Sequence, residues 1–337
     1  MEKRTFLEEK IEHIDIKSFD ATPVIRGMEK MSFTSRETGR AAEILLRMVS
    51  DPASTNMLTL AGSTGAGGCL QIYVDMIRSG MIDVVVATGA SIVDMDFFEG
   101  LGFNHYRGSS RVDDTKLREM YVDRIYDTFI DEEELQQCDA TINAIADGMT
   151  PGVYSSREFI REMGKYLSVG PKQKDSLVLA AYEMDVPIFC PAFSDSSAGF
   201  GLVKHQWEHP GEHVSIDSVK DFRELTMIKM KAPVTGLFMV GGGVPKNFAQ
   251  DTVVCAEILG SEVPMHRYAV QITVADVRDG ACSSSTLQEA SSWGKVDTIY
   301  EQMVYAEATS VLPLIVSYVY HQEDWKGRTP RKWTRIF

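Results

Sequence analysis

The sequence predicts an α/β protein with a doubly wound, mostly parallel sheet and helices on both faces. Three features predict this fold. Short apolar runs recur along the chain, each run ends in glycine or small polar residues, and segments with helical spacing separate the runs. Strands that are apolar throughout, rather than alternately apolar and polar, are typical of parallel sheets covered on both faces.

The predicted strands follow one another from Met57 onwards. Five apolar runs carry the pattern: "MLTLAGSTGAGG", "IDVVVATGASIVDMD", "VPIFCPAFSDSSAG", "TGLFMVGGGVPKNFAQD" and "YAVQITVADVRDG". The carboxyl ends of parallel strands meet at one edge of a sheet, where open α/β folds bind ligands. We therefore expect a ligand-binding site at that edge.

The domain organisation is predicted as an N-terminal helical extension, 1–55, followed by a single α/β domain, 56–337. In the extension, "RETGRAAEILLRMVSD" (36–51) repeats apolar residues at intervals of three and four, as an amphipathic helix does. Inside the large domain, a helical elaboration is predicted near 105–170, where the chain is rich in charged residues.

Composition limits the possible partners. The 337 residues include 34 basic and 48 acidic side chains, a net charge of −14. This balance argues against nucleic acid or an anionic membrane as a partner and permits cationic small molecules.

Cysteine usage and hydropathy indicate the compartment. The five cysteines are scattered without C-x-x-C spacing, so we predict neither a disulfide framework nor a metal site. The N-terminus is charged, and the longest apolar run, "VLPLIVSYVY" (311–320), is too short to span a bilayer. The predicted location is the cytoplasm.

The stretch "QEASSWGKV" (288–296) places a lysine just beyond a helix. Thr286 and Glu289 form a capping box, Leu287 to Trp293 fit two turns, and Gly294 is the predicted left-handed cap. Lys295 then has two interpretations. It is either a solvated charge near the carbonyl end of the helix, or an amine sheltered by the indole and able to act as a nucleophile.

Two glycine-rich turns lie at predicted strand ends. "GSTGAGG" (62–68) lacks the G-x-G-x-x-G order, and neither it nor "GGGVPKN" (241–247) has the Walker A spacing. Each is either a tight turn or a site for phosphate groups. In the second, Pro245 suits the first turn of a helix, so free N–H groups would face a ligand there.

Four segments occur together and in one order: "GMIDVVVATGA", "TGLFMVGGGVPK", "EASSWGKV" and "VYAEATSVLPLIV". They resemble deoxyhypusine synthases. The resemblance implies a Rossmann-like sheet, bound NAD, a cytoplasmic homotetramer with shared sites, and an N-terminal segment, here 1–20, that covers the entrance. It also implies a role in hypusine biosynthesis, in which an aminobutyl group passes from spermidine through an imine on Lys295 to a lysine of translation factor 5A. Related enzymes use small polyamines and make homospermidine, which is the alternative function.

The resemblance assigns roles to residues of this chain. The catalytic residues would be Lys295 and Asn247. The residues facing the polyamine would be Asp94, Phe200, Asp279, Gly280, Cys282, Glu289 and Trp293. The residues binding NAD would be Gly62, Ser63, Thr64, Thr88, Gly89, Ala90, Asp195, Gly242, Thr273, Val274, Glu307 and Ala308. For Glu289 a helix cap, and for Glu307 a charged helix end, are equally available interpretations.

Three of these positions depart from the family pattern. Asn247 stands where the family has a histidine, and Phe200 and Cys282 stand where it has acids. An amide cannot exchange a proton near neutral pH, and two lost carboxylates would weaken binding of a polycation by a few kcal/mol, at about 1.5–3 kcal/mol each. A non-catalytic NAD-binding homologue therefore remains a second alternative. His205 and His209 are expected to make local hydrogen bonds.

Overall fold

The computed structural model describes residues 2–170, 175–279 and 285–337. Its strands, in chain order, are β1 Ser54–Leu60, β2 Val84–Ala87, β3 His105–Arg107, β4 Val122–Ile125, β5 Thr128–Asp131, β6 Gly152–Tyr154, β7 Ile188–Phe189, β8 Val214–Ile216, β9 Val234–Val240, β10 His266–Thr273 and β11 Val296–Tyr305. Its helices are α1 Thr22–Met28, α2 Phe33–Ser50, α3 Leu70–Arg78, α4 Phe98–Gly100, α5 Asp114–Glu119, α6 Glu132–Asp147, α7 Ser156–Val169, α8 Leu177–Met184, α9 Ser197–Glu208, α10 Ser218–Lys231, α11 Gly243–Gln250, α12 Thr252–Ile258, α13 Leu287–Ser292 and α14 Ala308–Gln322.

The main sheet has six strands in the order β11-β10-β9-β1-β2-β7, and all neighbouring pairs are parallel. The α/β fold with a parallel sheet is therefore confirmed. The chain starts at β1, in the interior, and moves outwards through β2 to β7. It then returns to the other side of β1 for β9, β10 and β11, so the order reverses between β1 and β9. Ligands of such sheets bind in the crevice beside the carboxyl ends at that reversal.

Helices cover both faces of the sheet. One face buries a large apolar core formed with α2, α3, α7, α8 and α14, and the other buries a smaller core formed with α10, α11 and α13. The strands β1 and β2 are buried along their whole length, which explains why β2 is apolar throughout, while β1 also buries Ser54, Thr55, Asn56 and Thr59.

Two regions have features that the sequence did not predict. The helix α2 packs directly on β10, β11 and α14 through buried residues such as Leu45 and Met48, so the N-terminal helices join the core. The stretch near 105–170 contains, besides helices, the antiparallel sheet β3-β5-β4. Its strands have only three or four residues each, too few to show a clear alternation within a charged sequence.

The edge strand β11 is also absent from the predicted strands. Its residues alternate irregularly between buried and exposed because it has a neighbour on one side only, and a bulge interrupts its pairing with β10 between His266 and Tyr268. Among the described residues no helix is long and apolar enough to cross a membrane.

Candidate active site

The glycine turns lie at the reversal in strand order. The N–H of Ala61, after β1, donates to the carbonyl of Val240 (3.0 Å), and the N–H of Gly241 donates to that of Ile272 (2.9 Å). Gly241 has φ +76°, and a Cβ there would lie 2.9 Å from the Ala61 carbonyl oxygen. Only glycine allows this approach of two backbones, which brings the turns after β1 and β9 together.

A cleft of about 1060 Å³ opens beside the turn after β1. Its inner wall includes Ser63, Thr64, Glu307 and Thr309. Its outer wall is formed by the hairpin residues 125–128 and by residues 9–12, which belong to the N-terminal strap, our name for residues 9–14. The predicted NAD-binding residues Ser63, Thr64 and Glu307 thus line one cavity.

Glu307 caps the helix α14. Its carboxylate accepts the N–H groups of Thr309 (3.0 Å) and Ser310 (3.2 Å) and the hydroxyl of Thr309 (2.5 Å). The helix-end interpretation therefore holds geometrically, and the same side chain also lines the cleft. A carboxylate has about four acceptor positions, so capping leaves capacity for a ligand hydroxyl.

The other residues predicted to bind NAD are also at the carboxyl edge. They stand after or at the ends of β1, β2, β7, β9, β10 and β11: Gly62, Thr88, Gly89, Ala90, Asp195, Gly242, Thr273, Val274 and Ala308. Gly242 is the N-cap of α11, and no side chain caps that end. Its position agrees with the predicted free N–H groups.

Asp94 faces the start of α9 on the same edge. It accepts the N–H of Ser197 at 2.7 Å. Burial, together with the nearby carboxylates of Asp139 and Asp195, raises the pKa of Asp94 to about 6 against the lowering effect of the hydrogen bonds from Ser197. Phe200, one turn into α9, is 70% exposed. Asp94 and Phe200 thus both lie at the first turn of α9.

Lys295 is not a free surface charge. Its side chain is only 14% exposed, its Nζ lies 2.5 Å from Oδ1 of Asp251, and Nζ is 5.2 Å from the centre of the Trp293 ring. The indole itself is 66% exposed, so it forms the outer wall of this contact. The sheltered interpretation of Lys295 describes its surroundings better than the solvated one.

The helix before Lys295 has the predicted ends. Thr286 and Glu289 form the capping box, with both reciprocal hydrogen bonds present, and Gly294 has φ +70°. The carboxylate of Glu289 is exposed and accepts the N–H of Thr286 at 2.6 Å, so its capping interpretation holds. The helix ends at Ser292, one residue earlier than predicted.

Asp251 is a site residue that the sequence did not single out. It lies between α11 and α12, and its N–H donates to the carbonyl of Asn247 at 2.8 Å. Asn247 is therefore one turn before Asp251 on the same face of α11, and it is exposed. The spacing "NFAQD" could have indicated Asp251. An acid four residues after Asn247 lies on the same side of a helix as Asn247.

The lysine and the glycine turns are at opposite edges of the sheet. Lys295 precedes β11, and its carbonyl accepts the N–H of His266, the first residue of β10. Glu307 follows the other end of β11, where Tyr305 pairs with Thr273, the last residue of β10. The eight residues of β10 separate these points by about 23 Å at ~3.3 Å per residue. Within one chain, Lys295 therefore does not reach the cleft, which corrects the expectation that all these residues share one rim.

Asp94, Asp195 and Phe200 are also far from Lys295. They follow β2 and β7, while Lys295 precedes β11, at the other end of the six-stranded order. At about 4.8 Å between neighbouring strands, β7 and β11 lie roughly 24 Å apart. The fold of one chain thus divides the predicted site residues into two groups.

The remaining predicted substrate residues are at or beyond the edge of the described chain. Asp279 is exposed in a turn after β10, where its N–H donates to the carbonyl of Asp276 at 3.1 Å. Gly280 and Cys282 lie outside the described residues.

His205 and His209 form a small group with Asp147, all within 4.8 Å by their ligand atoms. Nε2 of His205 accepts the N–H of Val214 (3.0 Å), so the neutral ring carries its proton on Nδ1, which faces Asp147 at 2.6 Å. Both nitrogens of His205 are thus used in joining α6, α9 and β8. This agrees with local hydrogen bonding and does not favour metal binding.

Comparisons with known proteins agree on one family. The family model described as deoxyhypusine synthase matches residues 23–319. A deoxyhypusine synthase-like protein of Coxiella burnetii (strain RSA 493 / Nine Mile phase I) is 64% identical over 336 residues, covering 99% of this chain and 96% of its own length.

Two solved structures have the same fold. The crystal structure of a putative deoxyhypusine synthase from Entamoeba histolytica has a TM-score of 0.62 at 19% identity, covering 92% of this chain and 97% of that one. The ternary complex of AgrE with ornithine and NAD+ has a TM-score of 0.54 at 13% identity, covering 87% of this chain and 34% of that one. On the family match and the full-length sequence similarity, the chain belongs to the deoxyhypusine synthase family.

Proposed function

We propose that this protein is an NAD-dependent alkylamine transferase, which moves an aminobutyl group from spermidine or a related polyamine to an acceptor amine through an imine on Lys295. The observation that carries the proposal is the position of Lys295, mostly buried between Trp293 and Asp251. Membership of the family supports the same chemistry.

The residues around the cleft fit a dinucleotide. Gly241 allows close backbone approach, the N-terminus of α11 has no side-chain cap, and Glu307 is available to ribose hydroxyls at the cavity wall. NAD bound there would accept a hydride from the substrate carbon next to nitrogen and return it after transfer. The chain's own groups would hold the nucleotide, exclude water and supply the amine.

The amine of Lys295 would take over the carbon–nitrogen bond of the oxidised substrate. An amine nucleophile must be uncharged when it attacks, and removal from water favours the uncharged form. Trp293 would contribute by covering Lys295 and by attracting the substrate's cationic groups to its ring face.

The separation of Lys295 from the cleft supports a site shared between two copies of the chain. One copy would contribute Lys295, Asp251 and Trp293, and the other the glycine turns with Asp94 and Asp195. An exposed apolar stripe on α9, formed by Phe200, Val203 and Trp207, offers a contact surface beside the second group. We propose a homotetramer, in agreement with the family resemblance.

The acceptor amine is either a lysine of translation factor 5A or a small amine, as in homospermidine formation. The exposed ring of Phe200 favours the second possibility, because a carboxylate is missing where the family binds a polycation. An amine donor with fewer positive charges, such as putrescine, loses less binding free energy when this carboxylate is missing.

Trapping on Lys295 tests the proposal. The protein is incubated with NAD and spermidine, putrescine or agmatine, then reduced with borohydride, and Lys295 is examined by peptide mass spectrometry. We expect an added alkylamine mass on Lys295 with at least one amine, and none in Lys295→Arg. An unmodified Lys295 with all three amines, together with stabilisation by NAD alone, would instead favour the non-catalytic homologue.

Radiolabelled spermidine distinguishes the acceptors. Label that enters translation factor 5A supports the protein acceptor. Label that appears in a small polyamine, with or without the factor, supports the homospermidine-type reaction.

A further inference from the structure

We propose that Asp251 is a catalytic residue that carries the proton of Lys295 to the departing amine. This inference rests on the proposed function, because it concerns the exchange of amines on Lys295. The starting observation is the 2.5 Å contact between Nζ of Lys295 and Oδ1 of Asp251. That oxygen is buried and accepts no hydrogen bond of regular geometry from the described residues, so the ion pair with Lys295 is the polar contact that the structure gives it.

The other charged groups near this contact have partners of their own. Lys246 is fully buried, and its Nζ donates to Oε1 of Gln271 at 2.7 Å. Glu289 is occupied by its capping box. The ring of His266 is buried, faces the carbonyl of Ala249 at 3.2 Å, and has its pKa lowered by burial and by the Lys229 charge, so it stays neutral. Asp251 is thus the carboxylate in contact with the Lys295 amine.

A group able to carry protons is needed here because Asn247 cannot do so. Asp251 follows Asn247 by one helical turn and belongs to the same face of α11. The carboxylate therefore supplies an acid–base function close to the position where the amide cannot. Its side chain is 40% exposed, so the site is open to an incoming amine until the partner copy and substrate cover it.

The ion pair explains the resting state of Lys295. Beside a carboxylate the lysine is an ammonium, which has no lone pair for attack. When a substrate excludes water, two charges in contact become costly, and transfer of one proton gives a neutral amine and a neutral acid. The ion pair thus keeps Lys295 unreactive until the site is filled.

The exchange step balances with one carboxylate. The amine of Lys295 adds to the carbon of the oxidised substrate's protonated C=N group and forms a new C–N bond. Asp251, now protonated, gives its proton to the nitrogen that leaves and accepts one from the lysine nitrogen. The old C–N bond breaks, the second proton follows the departing amine, and Asp251 is a carboxylate again. No oxidant is required beyond the hydride step of the proposed function.

The first test measures the ion pair without any polyamine. Lys295 is alkylated with formaldehyde and cyanoborohydride between pH 6 and 10, and its modification is quantified by peptide mass spectrometry. In Asp251→Asn we expect Lys295 to be modified faster than in the wild type, because the amine has lost the carboxylate with which it pairs. Glu257→Gln, which removes an exposed carboxylate of α12, should leave the rate of modification unchanged. Equal rates in all three proteins overturn the inference.

The second test measures proton transfer, using whichever of spermidine, putrescine or agmatine reacts with the wild type. Loss of a general acid–base group costs about 10²–10⁴ in rate, so Asp251→Asn should lower turnover at least about a hundredfold. In Asp251→Ala, added formate or acetate should restore turnover saturably, because the small acid fits the space left by the side chain. The isosteric Asn variant, which leaves no such space, should not be rescued and also controls for folding.

The two proposals fail in different ways. If the wild type forms no adduct with any amine, the proposed function fails, and the catalytic role of Asp251 fails with it. If the wild type reacts but Asp251→Asn keeps full turnover, or if Asp251→Ala is not rescued by any small acid, only the role of Asp251 is overturned.

Discussion

The imidazole of His13 lies 2.8 Å from the carboxylate of Glu99 and so ties the N-terminal strap to the interior of the protein. The other oxygen of Glu99 is 2.7 Å from Nδ1 of the buried His105. Burial raises the pKa of Glu99, but the hydrogen bonds from His105 and His13 outweigh it and lower that pKa to about 2. The pKa of Glu99 in the folded protein is thus lower than the ordinary value of 4.5. Glu99 therefore contributes fully to stability above pH 4.5, and this contribution is lost as the pH falls towards 2.

His13→Ala should release the strap without unfolding the core. The strap is otherwise held by backbone bonds, including Ile11 N–H to His105 carbonyl (2.8 Å) and Ile14 N–H to Gly68 carbonyl (3.0 Å). A hydrogen bond to a charged group contributes about 1.5–3 kcal/mol, so amide exchange at Ile11 and Ile14 should accelerate at least about tenfold. Hydrogen exchange with mass spectrometry measures this change.

His213→Ala is the matched control for the strap. The ring of His213 faces the carbonyl of His209 at 3.0 Å, far along the chain from the strap, and its loss should leave exchange in residues 9–14 unchanged. Equal exchange of the strap in wild type and His13→Ala would show that the imidazole does not hold it.

Lys229 makes the fold more stable as pH rises above neutral. Its side chain is fully buried, with Nζ 2.6 Å from Oγ1 of Thr235, and burial lowers its pKa to about 7 from 10.5. Between these two pH values the unfolded chain binds the proton and the folded chain does not, so stability increases with pH. Relative to Lys229→Met, wild type should gain on the order of a few kcal/mol of unfolding free energy from pH 7 to 10.

Urea unfolding at several pH values measures this gain. Lys231→Met, which removes an exposed lysine from the end of the same helix, should follow the wild-type profile. A difference between wild type and Lys229→Met that is the same at pH 7 and pH 10 would contradict the prediction.

The core of the sheet could be predicted from the sequence because its strands are buried on both faces. The run Val84–Ala87 is apolar throughout, has the length of a strand and is followed by a glycine turn, which together indicate a strand covered on both faces. The edge strand β11 lacked the pattern, since only part of it is covered. Without β11, Lys295 appeared as a loop residue near the glycine turns. With it, Lys295 precedes a parallel strand and must lie at the amino edge.

The contact of Lys295 with Asp251 could not be predicted from the sequence, for a different reason. It depends on how α11 and α13 lie side by side on one face of the sheet, and no local pattern in either helix records that arrangement. By contrast, the ends of α13 follow from local hydrogen bonds of Thr286 and Glu289 and were predicted closely.

Glu307→Ala should weaken both the fold and nucleotide binding. Loss of an N-cap side chain costs about 1 kcal/mol, here at the start of α14. If the same carboxylate also binds a ribose, the affinity for NAD should fall about tenfold, as expected for one lost hydrogen bond to a charged group. Thermal unfolding and calorimetric titration with NAD measure the two effects.

Asp217→Ala separates these two effects. Asp217 caps α10 through the N–H groups of Val219 and Lys220 and is absent from the residues lining the cleft. Its loss should cost similar stability and leave NAD affinity unchanged. If both variants bind NAD as the wild type does, Glu307 is a cap only.

Phe200→Asp should improve the use of spermidine. Within one chain the side chain is 70% exposed, so the change should alter the stability of the single chain by no more than about 0.5 kcal/mol. A new carboxylate facing a polycation is worth about 1.5 kcal/mol or more, which lowers KM about tenfold. Val219→Asp, at a similarly exposed position on α10, is the control. An unchanged KM for spermidine in Phe200→Asp would place the ring outside the substrate path.

Mixed oligomers test whether two copies build one site. Lys295→Ala lacks the nucleophile, and Asp195→Ala lacks a predicted NAD-binding carboxylate at the carboxyl edge of the sheet. Each variant alone should be inactive. If the site takes Lys295 from one copy and Asp195 from its neighbour, a mixed dimer contains one site with both native residues. Random assembly at equal amounts makes about half the dimers mixed, so activity should return to about one quarter of wild type. Co-expression with two affinity tags isolates the mixed species for assay.

The control replaces Asp195→Ala by the double variant that also carries Lys295→Ala, and its mixtures should stay inactive. No recovery in the first mixture would mean that both residues serve the same copy. Lys295 would then have to cross the length of β10 to meet the cleft, about 23 Å of sheet at ~3.3 Å per residue. Such a movement would break the hydrogen bond between the Lys295 carbonyl and the N–H of His266, and it would disrupt the start of β11. Recovery of activity in the mixed oligomers is therefore the outcome that the fold permits without rearrangement.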